Sequence, residues 1–192
     1  MHSPYGFKNS DEFCEMIRSF NGKTPKIAGS AFVSEAAYVI GDVEIGEESN
    51  VWPGAVIRGD FYTIKIGRNV SIEDNCVIHA GPPSALIGDV TIGDRVIIGH
   101  GAVLHCRSIG NNVLVGMNAT ILQDAEIGNN CVIGAACLIG QEVNIPDNSL
   151  VVGVPGRIKG HPSEQQYWWT REGYKIPGPH QAVQKTRAVI LV

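Results

Sequence analysis

Three histidines, His79, His100 and His105, lie within a stretch of 27 residues in the middle of the chain. Imidazole nitrogens are common ligands of zinc and iron, and three histidines that leave one position open for water form a typical catalytic zinc site. The other histidines lie nearer the two ends of the chain. The central three therefore predict a metal site, with Zn²⁺ as the favoured ion and Fe²⁺ or Co²⁺ as alternatives.

The spacing of these histidines limits how one chain could bind the ion. His100 and His105 are separated by about 16 Å of extended chain. Two nitrogens bound to one tetrahedral zinc, in contrast, lie within roughly 3.5 Å of each other. We therefore do not expect one chain to bring both side chains to one ion, and we predict a metal site shared across the interface of a homo-oligomer.

A six-residue repeat must position the histidines. An aliphatic residue opens each block, a small or β-branched residue follows four places later, and Gly, Asn or Asp occupy the turns. The openers are Ile27, Val33, Val39, Ile45, Val51, Ile57, Ile66, Ile72, Ile78, Leu86, Ile92, Ile98, Leu104, Ile109, Val115, Ile121, Ile127, Ile133, Ile139, Ile145 and Val151. A short extended segment plus a turn, repeated in this way, is the signature of a parallel β-helix, and the period excludes an α-helix. The fold class is therefore mainly β.

In such a fold the coils stack on one another, because one coil cannot bury its own apolar side. We expect the openers to fill the interior and the small residues to fit where the chain bends. Cys76, Cys131 and Cys137 fall on this small inward place and are predicted to pack there. His79 and His105 directly follow an opener, so both are expected to point outward.

A short helix is predicted on each side of the β-helix domain, which spans residues 23–157. Ser10 and the two acidic residues after it predict a helix start, and the helix is expected to end near Ser19 within an N-terminal segment of residues 1–22. After the coil-ending Gly153-Val154-Pro155-Gly156-Arg157, a second helix is predicted to begin at Pro162-Ser163-Glu164, within residues 158–192. Its aromatic residues are expected to pack along the coils.

Composition narrows the class of partner. The chain has 192 residues and a formal net charge of −4, with no run of Lys or Arg of the kind that marks a nucleic-acid-binding surface. No apolar run approaches the roughly 18 residues of a membrane span, and the start of the chain lacks a signal-peptide pattern. The five cysteines show no paired spacing, which fits a reducing compartment. We expect a cytoplasmic protein that acts on a small molecule, not on nucleic acid or a membrane.

Three motifs surround the candidate ligands: Val51-Trp52-Pro53-Gly54-Ala55-Val56-Ile57-Arg58-Gly59-Asp60, Ile72-Glu73-Asp74-Asn75-Cys76-Val77-Ile78-His79, and Gly99-His100-Gly101-Ala102-Val103-Leu104-His105. Together they resemble the γ-class carbonic anhydrase family of hexapeptide-repeat proteins. The resemblance covers about residues 27–157. It implies a left-handed β-helix of triangular section and a homotrimer with a metal at each subunit interface.

The resemblance also implies an activity and a division of ligands. By position, His79 and His105 would come from one chain and His100 from the next. The implied reaction is hydration of carbon dioxide to bicarbonate, because a bound metal lowers the pKa of water toward roughly 7 and so supplies hydroxide near neutral pH.

Further site residues follow from the same resemblance. Arg58, Asp60 and Asp74 match the family's interface ion-pair group. Glu73 stands where the family usually carries a Gln that hydrogen-bonds the metal water, and it could accept from that water or act as a base. Tyr174 resembles an aromatic residue that reaches the site in trimmed relatives.

The chain departs from the best-studied type of this family at two places. Phe61 follows the Arg-Gly-Asp motif, and Pro82 lies three residues after the first metal histidine, where that type carries glutamates. The acidic proton-shuttle loop is therefore missing, which leaves open how efficient the hydration of carbon dioxide would be.

Three other functions remain open from the sequence. A CoA-dependent acyltransferase shares the fold and the Gly-Val-Pro-Gly ending, although such enzymes typically use one catalytic histidine and no metal. A metal-dependent thioesterase or another hydrolase could use the same site. A weakly active or non-catalytic homologue is the last alternative, and the presence of all three histidines counts against it.

Overall fold

The computed structural model describes residues 16–81 and 88–172. Within these ranges the chain forms short strands and one helix. In chain order the strands are β1 (Ile17–Arg18), β2 (Lys26–Ile27), β3 (Phe32–Val33), β4 (Tyr38–Ile45), β5 (Asn50–Val51), β6 (Val56–Ile66), β7 (Ser71–Ile72), β8 (Val77–His79), β9 (Val90–Ile92), β10 (Ile97–Ile98), β11 (Val103–Leu104), β12 (Ser108–Ile109), β13 (Leu114–Val115), β14 (Thr120–Ile121), β15 (Glu126–Ile127), β16 (Val132–Ile133), β17 (Leu138–Ile139), β18 (Asn144–Ile145), β19 (Leu150–Val152) and β20 (Arg157–Gly160), and the helix is α1 (Glu164–Arg171).

The strands form the three faces of a left-handed parallel β-helix of about seven coils, as the repeat and the resemblance predicted. We name the faces by their contents. The histidine face holds β1, β8, β11, β14, β17 and the first parts of β4 and β6, and the glycine face holds β2, β9, β12, β15, β18 and the last parts of β4 and β6. The hairpin face holds β3, β5, β7, β10, β13, β16 and β19, and it ends in the antiparallel β20.

The predicted openers align from coil to coil and fill the interior. On the histidine face, for example, Ile78 lies in register with Leu104, which in turn lies in register with Ile121. All three side chains are fully buried. Removing one such side chain down to Ala typically costs about 2–5 kcal/mol, so these ladders hold each coil in register with the next.

The positions that the repeat fills with small residues lie at the bends, and most of them are buried. Cys76, Cys131 and Cys137 are each at most 1% exposed, which confirms that they pack inward. Val143 is an exception, since it is 38% exposed. It precedes β18, the last strand of the glycine face. In the other coils the following coil covers the equivalent residue, but in the described structure no further coil lies over Val143.

The start of the described chain differs from the predicted N-terminal helix. Ile17 and Arg18 form β1 and pair in parallel with Val39 and Ile40 of β4. This part of the predicted helix therefore extends the ladder of the histidine face, where an open strand edge offers backbone partners. Residues 10–15 of that prediction lie outside the described residues.

The C-terminal helix begins where the sequence predicted. Ser163 caps α1 in a capping box with Gln166, and Glu164 lies in the first turn. Tyr167 is buried, but Trp168 and Trp169 are 44% and 49% exposed, so only one of these aromatic side chains packs inward in the single chain. No helix in the described part of the chain is long and apolar enough to cross a membrane.

Candidate metal centre

His79 and His105 stack on the outer side of the histidine face. Each follows an opener, and because Ile78 and Leu104 are paired, the two histidines occupy the same place in neighbouring coils. Nε2 of His105 lies 3.0 Å from Nδ1 of His79, and the ring centroids are 5.0 Å apart. The coil register thus brings together two imidazoles that are 26 residues apart in sequence.

Arg58 and Asp60 surround His79. Arg58 lies in register with His79 on the neighbouring strand, and its Nη2 is 3.3 Å from Nδ1 of His79. Asp60 lies 2.5 Å from Arg58 Nη1 through Oδ2 and 3.1 Å from Nε2 of His79 through Oδ1. The carboxylate can therefore accept a hydrogen bond from Nε2–H of His79, which orients the imidazole and leaves its other nitrogen facing His105.

The surroundings favour neutral imidazoles. Burial lowers the pKa of His79, and the Arg58 charge lowers it further, although Asp60 acts in the opposite direction. Burial likewise lowers the pKa of His105, with smaller contributions in the same direction from His79 and Arg58. A neutral imidazole keeps a nitrogen lone pair available, which is the form that binds a metal.

The donor set fits one divalent metal ion, but only in part. The 3.0 Å between the facing nitrogens is close to the separation of roughly 3.5 Å expected for two nitrogens on one zinc. In the described part of one chain, however, no three His, Cys, Asp or Glu side chains converge in an arrangement that could hold an ion. One chain thus offers a pair of nitrogens, and a site with three ligands would need its third ligand from elsewhere.

His100 lies in a separate cluster, in the turn between β10 and β11. Its Nδ1 is 2.8 Å from Oδ2 of Asp74, and its Nε2 is 3.1 Å from Oε2 of Glu73. The same Glu73 oxygen accepts the backbone N–H of His100 at 3.0 Å. The His100 side chain is 53% exposed, which leaves it accessible to a neighbouring molecule.

The structure divides the predicted site residues into two clusters. Arg58 and Asp60 join His79 and His105 at one edge of the histidine face, whereas Glu73 and Asp74 join His100 at the other edge. Tyr174 and Pro82 lie outside the described residues.

Two neighbours of the first cluster were not predicted to act there. Phe61, which is 49% exposed, has its ring centroid 6.3 Å from that of His79. The charge of Asp124 raises the pKa of His105, whereas burial and the other nearby groups lower it. The Asp124 side chain also accepts a hydrogen bond from Arg107. Phe61 could have been predicted from its place beside the Arg-Gly-Asp motif, but Asp124 lies in an ordinary turn of the repeat with no distinguishing signal.

Cys106, next to His105, is fully buried, and burial raises the pKa of its thiol to about 12.

Comparison with known proteins identifies relatives of the chain. The family model described as bacterial transferase hexapeptide (six repeats) matches residues 108–141. A protein of Methanocaldococcus jannaschii named as a probable carbonic anhydrase is 54% identical over 73% of this chain and 86% of its own length. A carbonic anhydrase of Geobacillus kaustophilus is 46% identical over 74% of this chain and 76% of its own length.

More distant matches share the architecture. The mitochondrial gamma carbonic anhydrase 1 of Arabidopsis thaliana is 37% identical over 71% of this chain, which spans 50% of that longer protein. A solved structure of a hexapeptide transferase family protein from Anaplasma phagocytophilum superposes with a TM-score of 0.79 at 29% identity, over 90% of this chain and 98% of that one. The chain belongs to the γ-class carbonic anhydrase-like family of hexapeptide-repeat proteins.

Proposed function

We propose that this protein is a metal-dependent carbonic anhydrase that hydrates carbon dioxide to bicarbonate at sites shared between the subunits of a homotrimer. The observation that carries the proposal is the pair of facing nitrogens of His79 and His105, which lie 3.0 Å apart on the outer surface and need a ligand from outside their own cluster. The names of the relatives at 46–54% identity support the choice of reaction.

The residues that would hold the ion come from two chains in this proposal. His79 and His105 of one subunit supply two nitrogens, and His100 of the next subunit supplies the third. A divalent ion held in this way, with Zn²⁺ favoured and Fe²⁺ or Co²⁺ as alternatives, lowers the pKa of water and provides a nucleophile near neutral pH.

The outer surface of the histidine face supports a contact with a second copy. The residue before each opener projects outward there, and these residues form a column along the face. Its members are apolar except for Thr120: Tyr38, Val56, Val77, Val103, Thr120 and Leu138. Val103 is 40% exposed in the single chain. The two clusters lie at opposite edges of this face, so a head-to-tail contact between equivalent faces would bring one cluster against the other and could close into a ring.

The chain's own residues have distinct tasks in this proposal. Asp60 accepts a hydrogen bond from His79 and, with Arg58, fixes the orientation of the ring. Phe61 covers one side of His79 with an apolar ring, which limits access of water to that side. The described cysteines Cys76, Cys106, Cys131 and Cys137 are free thiols, consistent with a proposed site of action in the reducing cytoplasm.

The test combines metal analysis with stopped-flow hydration of carbon dioxide. Protein purified with an excess of Zn²⁺ should contain about one ion per chain and should hydrate carbon dioxide, whereas His100→Ala should lose most of both. A wild-type protein with far less than one ion per chain would contradict the metal site. A fully active His100→Ala protein would contradict its sharing between subunits. Hydrolysis of an acyl thioester, measured on the same samples, separates the hydrolase alternative.

A further inference from the structure

The turn that carries His100 is held by two carboxylates from the preceding coil. Asp74 contacts the ring through Nδ1 at 2.8 Å, and Glu73 contacts it through Nε2 at 3.1 Å. Glu73 also accepts the backbone N–H of His100 with the same oxygen, Oε2, at 3.0 Å. The two acids therefore do different things: only Glu73 holds both the backbone and the ring.

An equivalent turn elsewhere in the β-helix shows what such side chains usually do. Asp94, like Asp74, lies two places after an opener, but its Oδ1 accepts the backbone N–H of Arg68 in the preceding coil at 2.8 Å. Asn111 and Asn129 repeat this bond in the next two coils. These side chains tie coil to coil through the backbone. Asp74 differs, because its carboxylate reaches forward to the imidazole of the following coil.

The two contacts of the His100 ring, with Glu73 and with Asp74, are not equally easy to break. If the ring left Glu73, that carboxylate would keep the backbone N–H of His100 as a partner. The contact with Asp74 is the shorter one and involves the ring alone. Histidines that bind metals commonly donate the N–H of the other ring nitrogen to a carboxylate, which fixes the tautomer.

We propose that Asp74 is the positioning residue of His100: it holds the proton on Nδ1 and thereby presents Nε2 to the metal. Glu73 anchors the turn through the backbone N–H and yields Nε2 when the ion binds. This inference rests on the proposed metal site and assigns to Asp74 a task within one chain, in addition to any contact across the interface.

The first test measures Zn²⁺ affinity by competition with a chromophoric chelator, using the full-length protein. Asp74→Ala should weaken binding by about 10–100-fold, the usual effect of removing such a supporting group. Asp74→Asn should weaken it less, because the amide oxygen still accepts a hydrogen bond. Asp94→Asn is the matched control at the same place of the repeat and should bind as tightly as the wild type.

Light scattering on the same samples separates positioning from assembly. The inference requires that Asp74→Ala loses affinity while it keeps the oligomeric state of the wild type. It would be overturned by unchanged affinity in both Asp74 variants, or by a loss of affinity that occurs only together with loss of the oligomer. A wild-type protein that binds no Zn²⁺ would refute the proposed function itself.

The second test reads the tautomer directly. In protein labelled with ¹⁵N-histidine and loaded with Zn²⁺, the His100 resonances should show a protonated Nδ1 and a metal-bound Nε2. In metal-free Asp74→Ala, the preference for a proton on Nδ1 should be lost relative to the metal-free wild type. Zinc bound through Nδ1 of His100 would overturn the inference and leave the metal site itself in place.

Discussion

The histidine face and the glycine face are built from the same repeat but use its outward positions differently. On the glycine face, the residue after the opener is Gly in most coils: Gly46, Gly67, Gly93, Gly110 and Gly128. On the histidine face the same place carries large side chains in most coils, namely Ile40, Arg58, His79, His105 and Leu122, with Gly140 as the exception. The residue before the opener differs as well, since it is largely polar on the glycine face and apolar on the histidine face.

The comparison explains where a site can form. On the glycine face the coils approach so closely that a Cβ on Gly110 would lie 2.8 Å from the backbone N of Asn129. On the histidine face, two imidazoles fit at this place in successive coils and face each other at 3.0 Å. Periodic packing alone therefore does not exclude functional side chains from the outer surface. It confines them to the places where the coils leave room.

The largest effect, on assembly of the oligomer, is expected when a charged residue replaces an apolar one in the outward column of the histidine face. Val103→Asp should dissociate the proposed trimer, because a carboxylate buried without a partner costs at least about 2 kcal/mol. Metal binding should fall with it. Ser108→Asp is the matched control, since Ser108 lies at the same place of the repeat on the glycine face. Light scattering should show a smaller particle for Val103→Asp alone, and an identical mass for both variants would contradict an interface on this face.

A smaller effect, on the stability of the fold, is expected when a methyl group is added on the glycine face. Gly110→Ala should destabilise the fold by about 1–3 kcal/mol, because the neighbouring backbone has to shift to admit the Cβ. Gly29→Ala is the control, because no atom lies within 4 Å of the position its Cβ would occupy. Thermal unfolding should show a clearly lower midpoint for Gly110→Ala than for Gly29→Ala. Equal midpoints would show that the close approach of the coils does not constrain this place.

The smallest effect on stability is expected at the histidine face itself. Nδ1 of His105 is buried without a hydrogen-bond partner in the described structure, and such an atom typically costs about 1–3 kcal/mol. His105→Leu removes it, and Leu122 shows that Leu is accepted at this place in the next coil. Compared in the metal-free state, the variant should unfold at the same temperature as the wild type or slightly above it, while it loses metal binding. A large loss of stability would assign His105 a structural task.

The sequence predicted the fold well because spacing determines it. Openers such as Leu104 recur so regularly that their inward direction follows from counting, and with it the outward direction of His79 and His105. The predicted N-terminal helix was wrong over Ile17 and Arg18, because these residues also have an extended alternative, which an open strand edge stabilises. A single segment considered alone cannot reveal that edge.

The contacts of the predicted site residues could not be read from the sequence. The resemblance suggested an ion-pair group at an interface for Arg58, Asp60 and Asp74. Within one chain, the structure pairs Asp60 with both Arg58 and His79, and Asp74 with His100. These contacts depend on which residues the coils place in register, and the irregular blocks around β6 shift that register. Counting along the chain does not supply it.

The shared site is tested most directly by subunit complementation. His100→Ala and His105→Ala should each be inactive alone, because each lacks one ligand of every site. A mixed trimer contains one interface where the first variant supplies His79 and His105 and the second supplies His100. Random mixing of equal amounts, by co-expression or by refolding together, should therefore restore about one quarter of the wild-type sites, measured as bound Zn²⁺ and as carbon dioxide hydration. Mixed trimers that remain without metal and without activity would contradict a centre built from two subunits.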